Sequence, residues 1–393
     1  MGPLRVIGRS EILPPPIRAR AAADLPFPIA FELIDGIEGL RRVVSRPDSF
    51  DVYHQWHTVD LVWTARSVQA IDLARIDGGG AVRAGAAART SDARVIGTVF
   101  DRLFLQEDGS LGREPSGFVS MLPSLHGVDS FAHLGSLRDD IRPGEADSWA
   151  WLLDPRWRGR VALLSDPVLG MIEAALAVEA AEGVSFGDIG NLTIEEIDLV
   201  TDHLVRLKRL GHFRGTWLNY EEAAGYMTRG GVVLQSMFSP ALVELRRQGV
   251  PIVLSSPAEG SRGWHADLCV SAAAEGARLE AAYAYLNWWH GGWAGACLTR
   301  QGYYATFPER ARPHLSAAEW AYWYEGEPAE GPLPDPEGRP AIPEGHRREG
   351  GSHRDRMSRA RVWNAFMDEH TYLVRRWREF LEPGGFPGLQ RPA

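Results

Sequence analysis

The sequence predicts an α/β protein built from two lobes, and three observations lead to this. Short β-prone segments alternate with amphipathic helical segments along most of the chain, an order typical of α/β layers around a mainly parallel sheet. At 393 residues, the chain is too long for one ordinary core and suits two units of about 150–200 residues each. The hydrophobic fraction of 45% and the charged fraction of 24% are those of a globular protein.

The elements follow from hydrophobic periodicity and from helix and turn signals. The predicted strands cover residues 4–8, 27–33, 50–53, 161–164, 231–235, 251–254 and 268–270. The predicted helices cover residue 17 into the twenties, then 36–44, 170–181, 193–210, 240–248, 278–289 and 359–381. Thr193 followed by Glu196 forms a capping-box pattern at one helix start. Residues 325–356 are rich in Pro, Gly and charge, which predicts an excursion or mobile loop rather than core.

Composition excludes several classes of protein. The formal net charge is −9 and no long Lys/Arg run is present, so nucleic acid is not an expected partner. No window of about 18 apolar residues is present to span a bilayer. The first residues lack the pattern of a secretion signal, so either the export signal is absent from this sequence or the protein stays inside the cell.

Three smaller features carry little functional information. Cys269 and Cys297 could pair only if the fold brings their Cα atoms within about 7 Å. The glycines at 78–80 follow no strong strand, so a surface turn is favoured over a phosphate loop. The 14 tryptophans are unusual, and large rings line either cores or concave ligand sites.

Several segments, in order, resemble one family. Residues 147–167 read DSWAWLLDPRWRGRVALLSDP, followed by GGVVLQSMF at 230–238, WHADLCV at 264–270, AAYAYLNWW at 281–289 and QGYY at 301–304. This series resembles the substrate-binding proteins of ABC importers of the spermidine/putrescine type, which are two-lobed periplasmic proteins. The resemblance covers most of the chain apart from residues 325–356, and it extends to a closing helix at 363–381.

The resemblance implies a two-lobed periplasmic-binding-protein fold, each lobe a mixed sheet flanked by helices, joined by two crossing strands. We expect these strands near residues 121–131 and 264–270. Lobe 1 then comprises residues 1–121 and 266–302, and lobe 2 comprises 122–265 and 303–393. In this family the 147–167 segment is a scaffold, so Trp149, Trp151 and Trp157 are expected to be packing residues rather than ligand contacts.

The resemblance also places a ligand site between the lobes, at the ends of strands, where ligands collect in α/β sheets. The predicted ligand-binding residues are Arg9, Ser10, Gln55, Trp56, His57, Asp166, Phe238, Trp264, Asp267, Tyr303 and Asn364. No residue is predicted to be catalytic or to ligate a metal.

The chain departs from the family at the charged positions. Residues 9–12 read RSEI where the family has Trp-Thr-x-Tyr, and Pro167 and Gly170 stand at the positions of its two carboxylates. Arg9 would repel a polyamine unless Glu11 or Asp51 neutralises it, yet it would suit an anion or zwitterion. Arg9 also fits a solvated loop or an interlobe salt bridge. The expected ligand is therefore a small polar organic solute that is polyamine-like, zwitterionic or anionic.

The expected function is solute capture by hinge closure, without chemistry on the ligand. The implied partners are the small-molecule ligand and an ABC permease in the inner membrane, with no nucleic acid and no cofactor; the implied state is a periplasmic monomer. A ferric-ion binder of the same architecture is one alternative, suggested by Tyr303 and Tyr304. A hydrolase is the other, although neither a Gly-x-Ser-x-Gly nor a His-Glu-x-x-His motif is present.

Overall fold

A computed structural model describes residues 2–34, 36–56, 59–82, 102–229 and 231–382. Its strands are β1 (Leu4–Gly8), β2 (Ile29–Leu33), β3 (Val52–Trp56), β4 (Val68–Gln69), β5 (Ile71–Asp72), β6 (Phe104–Leu105), β7 (Leu111–Gly112), β8 (Phe118–Val119), β9 (Leu122–Leu134), β10 (Val161–Leu164), β11 (Phe213–Trp217), β12 (Leu234–Met237), β13 (Ile252–Leu254), β14 (Ser261–Ser271), β15 (Tyr304–Ala305), β16 (Leu333–Pro334), β17 (Pro340–Ile342) and β18 (Ala360–Trp363).

The helices alternate with the strands along most of the chain. They are α1 (Pro15–Asp24), α2 (Gly36–Ser45), α3 (Val59–Thr64), α4 (Pro167–Glu182), α5 (Ile194–Arg209), α6 (Tyr220–Thr228), α7 (Ser239–Arg247), α8 (Gly276–His290), α9 (Trp293–Thr299), α10 (Pro308–Ala311), α11 (Ala317–Trp320), α12 (His353–Met357) and α13 (His370–Leu381). None of the described helices is long and apolar enough to cross a membrane.

Two long strands organise the molecule. β9 and β14 run antiparallel at the centre of a sheet ordered β11-β10-β12-β9-β14-β3-β1-β2. On one side β1 pairs in parallel with β2 and β3, and on the other β10 pairs in parallel with β11 and β12. The predicted mixed α/β architecture is confirmed, and both long strands lie where crossing strands are expected.

Capping signals in the sequence explain where α4 and α5 begin and where α4 ends. The Asp166 carboxylate accepts hydrogen bonds from the backbone N–H groups of Val168 and Leu169, and Pro167 occupies the first turn. α4 therefore begins three residues before the predicted start. The Thr193 capping box is present as predicted. Gly183 ends α4 with φ of 65°, a conformation that glycine adopts without steric cost.

The buried side chains form separate clusters on the two sides of the long strands. One large cluster contains Leu4, Val6 and Trp264, and it also contains Tyr304 and Trp323. Two other clusters lie around β10 to β12: one contains Phe131, Trp149 and Trp377, and the other Trp217, Met237 and Leu242. Tyr304, Trp323 and Ile342 thus pack with the core of β1 and β3, although the sequence placed them in lobe 2. The exact lobe division stays a prediction.

The segment 325–356 differs from its prediction as an excursion outside the core. Leu333 and Ile342, on the β16–β17 hairpin, are buried in the large cluster. Arg348 is also buried, and its guanidinium donates to the Tyr304 hydroxyl and to the Gly302 carbonyl oxygen. The prediction was wrong because the few apolar residues of the segment face inward, and Arg348 is buried with its hydrogen bonds satisfied.

Residues 359–381 are not one helix as predicted. Residues 360–363 form β18, which pairs in parallel with β14, and α13 begins at His370. The apolar spacing fits both arrangements, but Val362 and Trp363 are β-branched and aromatic, which favours a strand where an edge is available. Cys269 and Cys297 are both free and buried.

Candidate functional site

The ends of several strands meet at one cleft beside the two long strands. Arg9 directly follows β1, Trp56 ends β3, Phe238 follows β12 and Asn364 follows β18. The cleft encloses about 380 Å³, part of it open to solvent, and is lined by Arg9, Glu11, Ile12, Trp56, Asp129, Leu169, Phe238, Arg262, Trp264, Tyr303 and Asn364. Ligand sites of α/β sheets lie at such strand ends.

Aromatic rings form much of the cleft wall. Trp264 and Tyr303 meet edge to face with centroids 4.6 Å apart, and the Trp56 ring stacks on Phe366 at 5.8 Å. Trp264 lies opposite Gly127 in the β9–β14 ladder, and a Cβ at Gly127 would come within 3.0 Å of the indole. The glycine therefore makes room for the indole. Such rings suit the apolar stem of a small solute or a cation.

One ion pair lies at the end of β1. The Arg9 guanidinium donates two hydrogen bonds to the Glu11 carboxylate, at 3.2 and 3.1 Å, and both side chains are buried. The anion expected to neutralise Arg9 is therefore Glu11, whereas Asp51 pairs with Arg5 at 2.7 Å. This pairing makes that end of the cleft neutral in net charge.

A second charged group, around Arg262, also lines the cleft. Arg262 donates from Nε to Glu173 at 2.9 Å, from Nη1 to Asn364 at 2.8 Å and from Nη2 to Asp129 at 3.0 Å. Its guanidinium carbon lies 5.9 Å from the centre of the Phe238 ring. The buried Arg262 of β14 thus hydrogen-bonds to residues on β9, on α4 and just after β18.

Burial changes the protonation of these carboxyls. Burial raises the pKa of Glu173 to about 7, although the Arg262 charge opposes the rise. Burial also raises the pKa of Asp129, again against the attraction of Arg262. The nearby Trp264 indole N–H lowers the pKa of Asp129 without reaching the distance and angle of a hydrogen bond. Arg262 is therefore the cationic partner of both Glu173 and Asp129, and ionising both carboxyls at once is costly.

We expect Glu173→Gln to raise the free energy of unfolding, and more at pH 8 than at pH 5. Between the ordinary value of 4.5 and the native pKa of about 7, the native state holds a proton that the unfolded chain has released. Stability contributed by this proton is therefore lost as pH rises from 4.5 towards 7. Glutamine still offers Arg262 an acceptor but carries no charge, so the gain at pH 8 should be about 1–3 kcal/mol.

Urea denaturation of both proteins at the two pH values measures this gain. Exposed Glu330→Gln is the matched control and should change little at either pH. If the free energy of unfolding rose equally at pH 5 and pH 8, or fell at pH 8, the raised pKa of Glu173 would be contradicted.

Six of the eleven predicted site residues line the cleft: Arg9, Trp56, Phe238, Trp264, Tyr303 and Asn364. Four others do not. Ser10 lies beside Glu11, Asp267 bonds His265 at 2.9 Å, and Gln55 and Asp166 line a neighbouring smaller cleft. His57 lies outside the described residues.

The sequence prediction missed the charged centre, by which we mean Arg262 with its two carboxyl partners. Arg262, Asp129 and Glu173 were not predicted, and neither were Ile12 and Leu169 in the cleft wall. One signal was present for Asp129, because a charged residue inside a segment expected to be a buried crossing strand must be paired.

A metal centre is not formed by the described side chains. Across the described ranges, no group of three or more His, Cys, Asp or Glu residues is placed to hold a metal ion. Tyr303 faces the cleft, while the hydroxyl of Tyr304 accepts a hydrogen bond from Arg348. The two adjacent tyrosines therefore do not point to one common site.

No protein-family model matches the sequence, and comparison with curated proteins finds no relative in sequence. Solved structures do match. A putative spermidine/putrescine ABC transporter from Listeria monocytogenes superposes with a TM-score of 0.67 at 12% identity, covering 97% of this chain and 99% of that chain. The TpPotD lipoprotein of Treponema pallidum gives 0.62 at 14% identity, covering 96% and 98%.

A third match is the periplasmic binding protein MotA from A. tumefaciens B6 in complex with glucopine. Its TM-score is 0.59 at 12% identity, covering 97% of this chain and 100% of that chain. These matches extend over both sides of the long strands and not over one part alone. The chain therefore has the two-lobed fold of the spermidine/putrescine-type substrate-binding proteins of ABC importers, as its sequence segments predict.

Proposed function

We propose that this protein is the extracellular solute-binding component of an ABC importer, which captures a small polar organic solute between its two lobes. The observation that carries the proposal is the buried aromatic and charged cleft where strand ends meet beside β9 and β14. The structural neighbours are named as ABC-transporter and periplasmic binding proteins, and one holds an organic solute. A concave, largely apolar site with a few placed polar groups fits such a ligand.

Hinge closure is the proposed mechanism. The two long strands connect the halves, with lobe 1 taken as residues 1–121 and 266–302 and lobe 2 as the remainder. Trp56 at the end of β3 stacks on Phe366, which lies between β18 and α13. A solute that touches residues on both sides stabilises the shut form, since it binds that form more tightly. A membrane permease then recognises the shut form.

The proposed protein acts outside the cytoplasmic membrane as a monomer, with the permease as partner and without a reaction on its solute. Its ligand-binding residues are proposed to be the six predicted residues in the cleft wall together with Glu11, Asp129 and Arg262. No specific observation favours the ferric-ion or hydrolase alternatives, so neither is proposed.

A thermal-shift screen tests the proposal. Polyamines, amino acids, quaternary amines, opines and phosphonates are each added to the protein at about 1 mM, which is about 1,000-fold above a Kd of about 1 μM. Tight binding to the folded state should raise the melting temperature by several degrees. Calorimetry then measures the Kd of each hit. A screen without any stabilising solute, or turnover of a bound solute, would contradict the proposal.

A further inference from the structure

Arg262 places a fixed positive charge where a solute cation would otherwise bind. Its guanidinium has an acceptor for each of its three nitrogens, on Glu173, Asn364 and Asp129, and it lies near the face of Phe238. Carboxylates and a ring face are the groups that an ammonium ion requires in a buried cleft. The guanidinium of Arg262 therefore occupies a position that an ammonium group of the solute would otherwise take.

The charges that line the cleft nearly balance. Arg9 and Arg262 contribute two positive charges, and Glu11 and Asp129 contribute two negative charges. Glu173, which also contacts Arg262, adds at most one more negative charge. A solute with two ammonium groups would bring more positive charge than the cleft can pair, and unpaired buried charge is costly. A solute without net charge avoids this cost.

Two polar atoms of the cleft wall have hydrogen-bonding capacity to spare. Within the described parts of the chain, Asp129 Oδ1 and Trp264 Nε1 are buried and near each other, but neither makes a hydrogen bond of full distance and angle. Asp129 is an acceptor and the indole is a donor, and both residues line the cleft. A solute that donates to Asp129 and accepts from Trp264 would give each atom a well-formed hydrogen bond in place of their poor contact with each other.

We propose that the cleft selects an amino-acid-like zwitterion, with one ammonium group on Asp129 and no net charge, and discriminates against diamines because Arg262 already occupies a cation position. This inference rests on the proposed function and specifies its substrate class. The proposed site differs from a simple polyamine site because Arg262 is a specificity-determining residue.

Calorimetry with two matched series tests the inference. The probes are ω-amino acids and α,ω-diamines with three to six carbons, so that members of equal length differ mainly in charge. We expect at least one amino acid to bind about tenfold or more tightly than the diamine of the same length. A diamine that binds as tightly or more tightly would overturn the inference. So would the absence of binding in both series when the wider screen yields another ligand. A wider screen without any ligand instead counts against the proposed function itself.

Variants of the charged centre give a second, independent readout. Arg262→Gln should shift the ratio of diamine to amino-acid affinity by about tenfold towards the diamine, because it frees a carboxylate. Asp129→Asn should weaken amino-acid binding by about tenfold or more, and it decides the question if Arg262→Gln does not fold. Arg41→Gln, at an exposed arginine of α2, is the matched control and should leave both affinities unchanged. An unchanged ratio in folded Arg262→Gln, or unchanged amino-acid affinity in Asp129→Asn, would overturn the inference.

Discussion

Trp264→Ala is expected to weaken solute binding by about 100-fold or more, to a level that calorimetry no longer detects. The indole lines the cleft, is 6% exposed and meets Tyr303 edge to face. Removing it deletes a wall of the cleft and leaves a space that water enters, and central aromatic residues of binding sites typically carry about 2–4 kcal/mol of affinity. The solute that gives the largest thermal shift in the screen serves as the titrant.

A matched tryptophan separates this effect from damage to the fold. Trp63, on α3, is half-buried and lies outside the cleft, so Trp63→Ala should bind the solute with wild-type affinity. The far-UV circular dichroism of both variants should match that of the wild type. Gly127→Ala offers a milder test, because its added methyl group would displace the same indole without removing it. Unchanged affinity in folded Trp264→Ala would contradict the placement of the site.

The sequence predicted the aromatic residues of the cleft wall better than the charged ones. Trp264 and Tyr303 stand in segments whose order along the chain matches a family, so their positions follow once the segments are recognised. Arg262 and Asp129 lie inside the two long strands, and neither is among the positions to which the resemblance assigns a role. Their partner Glu173 is 89 residues from Arg262 along the chain. One sequence contains no information on such a distant pair of contacts, so the ion pair emerges only from the fold.

The same limit explains the errors in the C-terminal part of the chain. Composition favours a loop at 325–356, because Pro, Gly and charged residues dominate it. The fold nevertheless buries Arg348 against Tyr304 and Gly302, in contacts between distant parts of the sequence. Likewise, residues 360–363 extend as a strand because β14 offers them an edge. Local propensity ranks the conformations open to a segment, and tertiary pairing selects among them.

Trp149→Ala is expected to have the opposite effect to Trp264→Ala, with a large loss of stability and no direct loss of binding. Trp149 is fully buried, packs at 5.4 Å against Phe131 and donates from Nε1 to the Gly260 carbonyl oxygen at 2.8 Å. Replacing a buried tryptophan by alanine leaves a large cavity and typically costs about 3–5 kcal/mol. Here the Gly260 carbonyl also loses its donor, so the upper half of this range is expected.

Urea denaturation without solute measures the loss, with Trp63→Ala as the control at a half-buried tryptophan, where the cost should stay near 1 kcal/mol. Calorimetry at 15 °C, where the Trp149 variant should still be largely folded, should return a Kd within about threefold of the wild type. The reason is that Trp149 does not line the cleft and lies in a different buried cluster from Trp264. If Trp149→Ala abolished binding while its free energy of unfolding stayed near the wild-type value, the 147–167 segment would be part of the ligand site and not its scaffold.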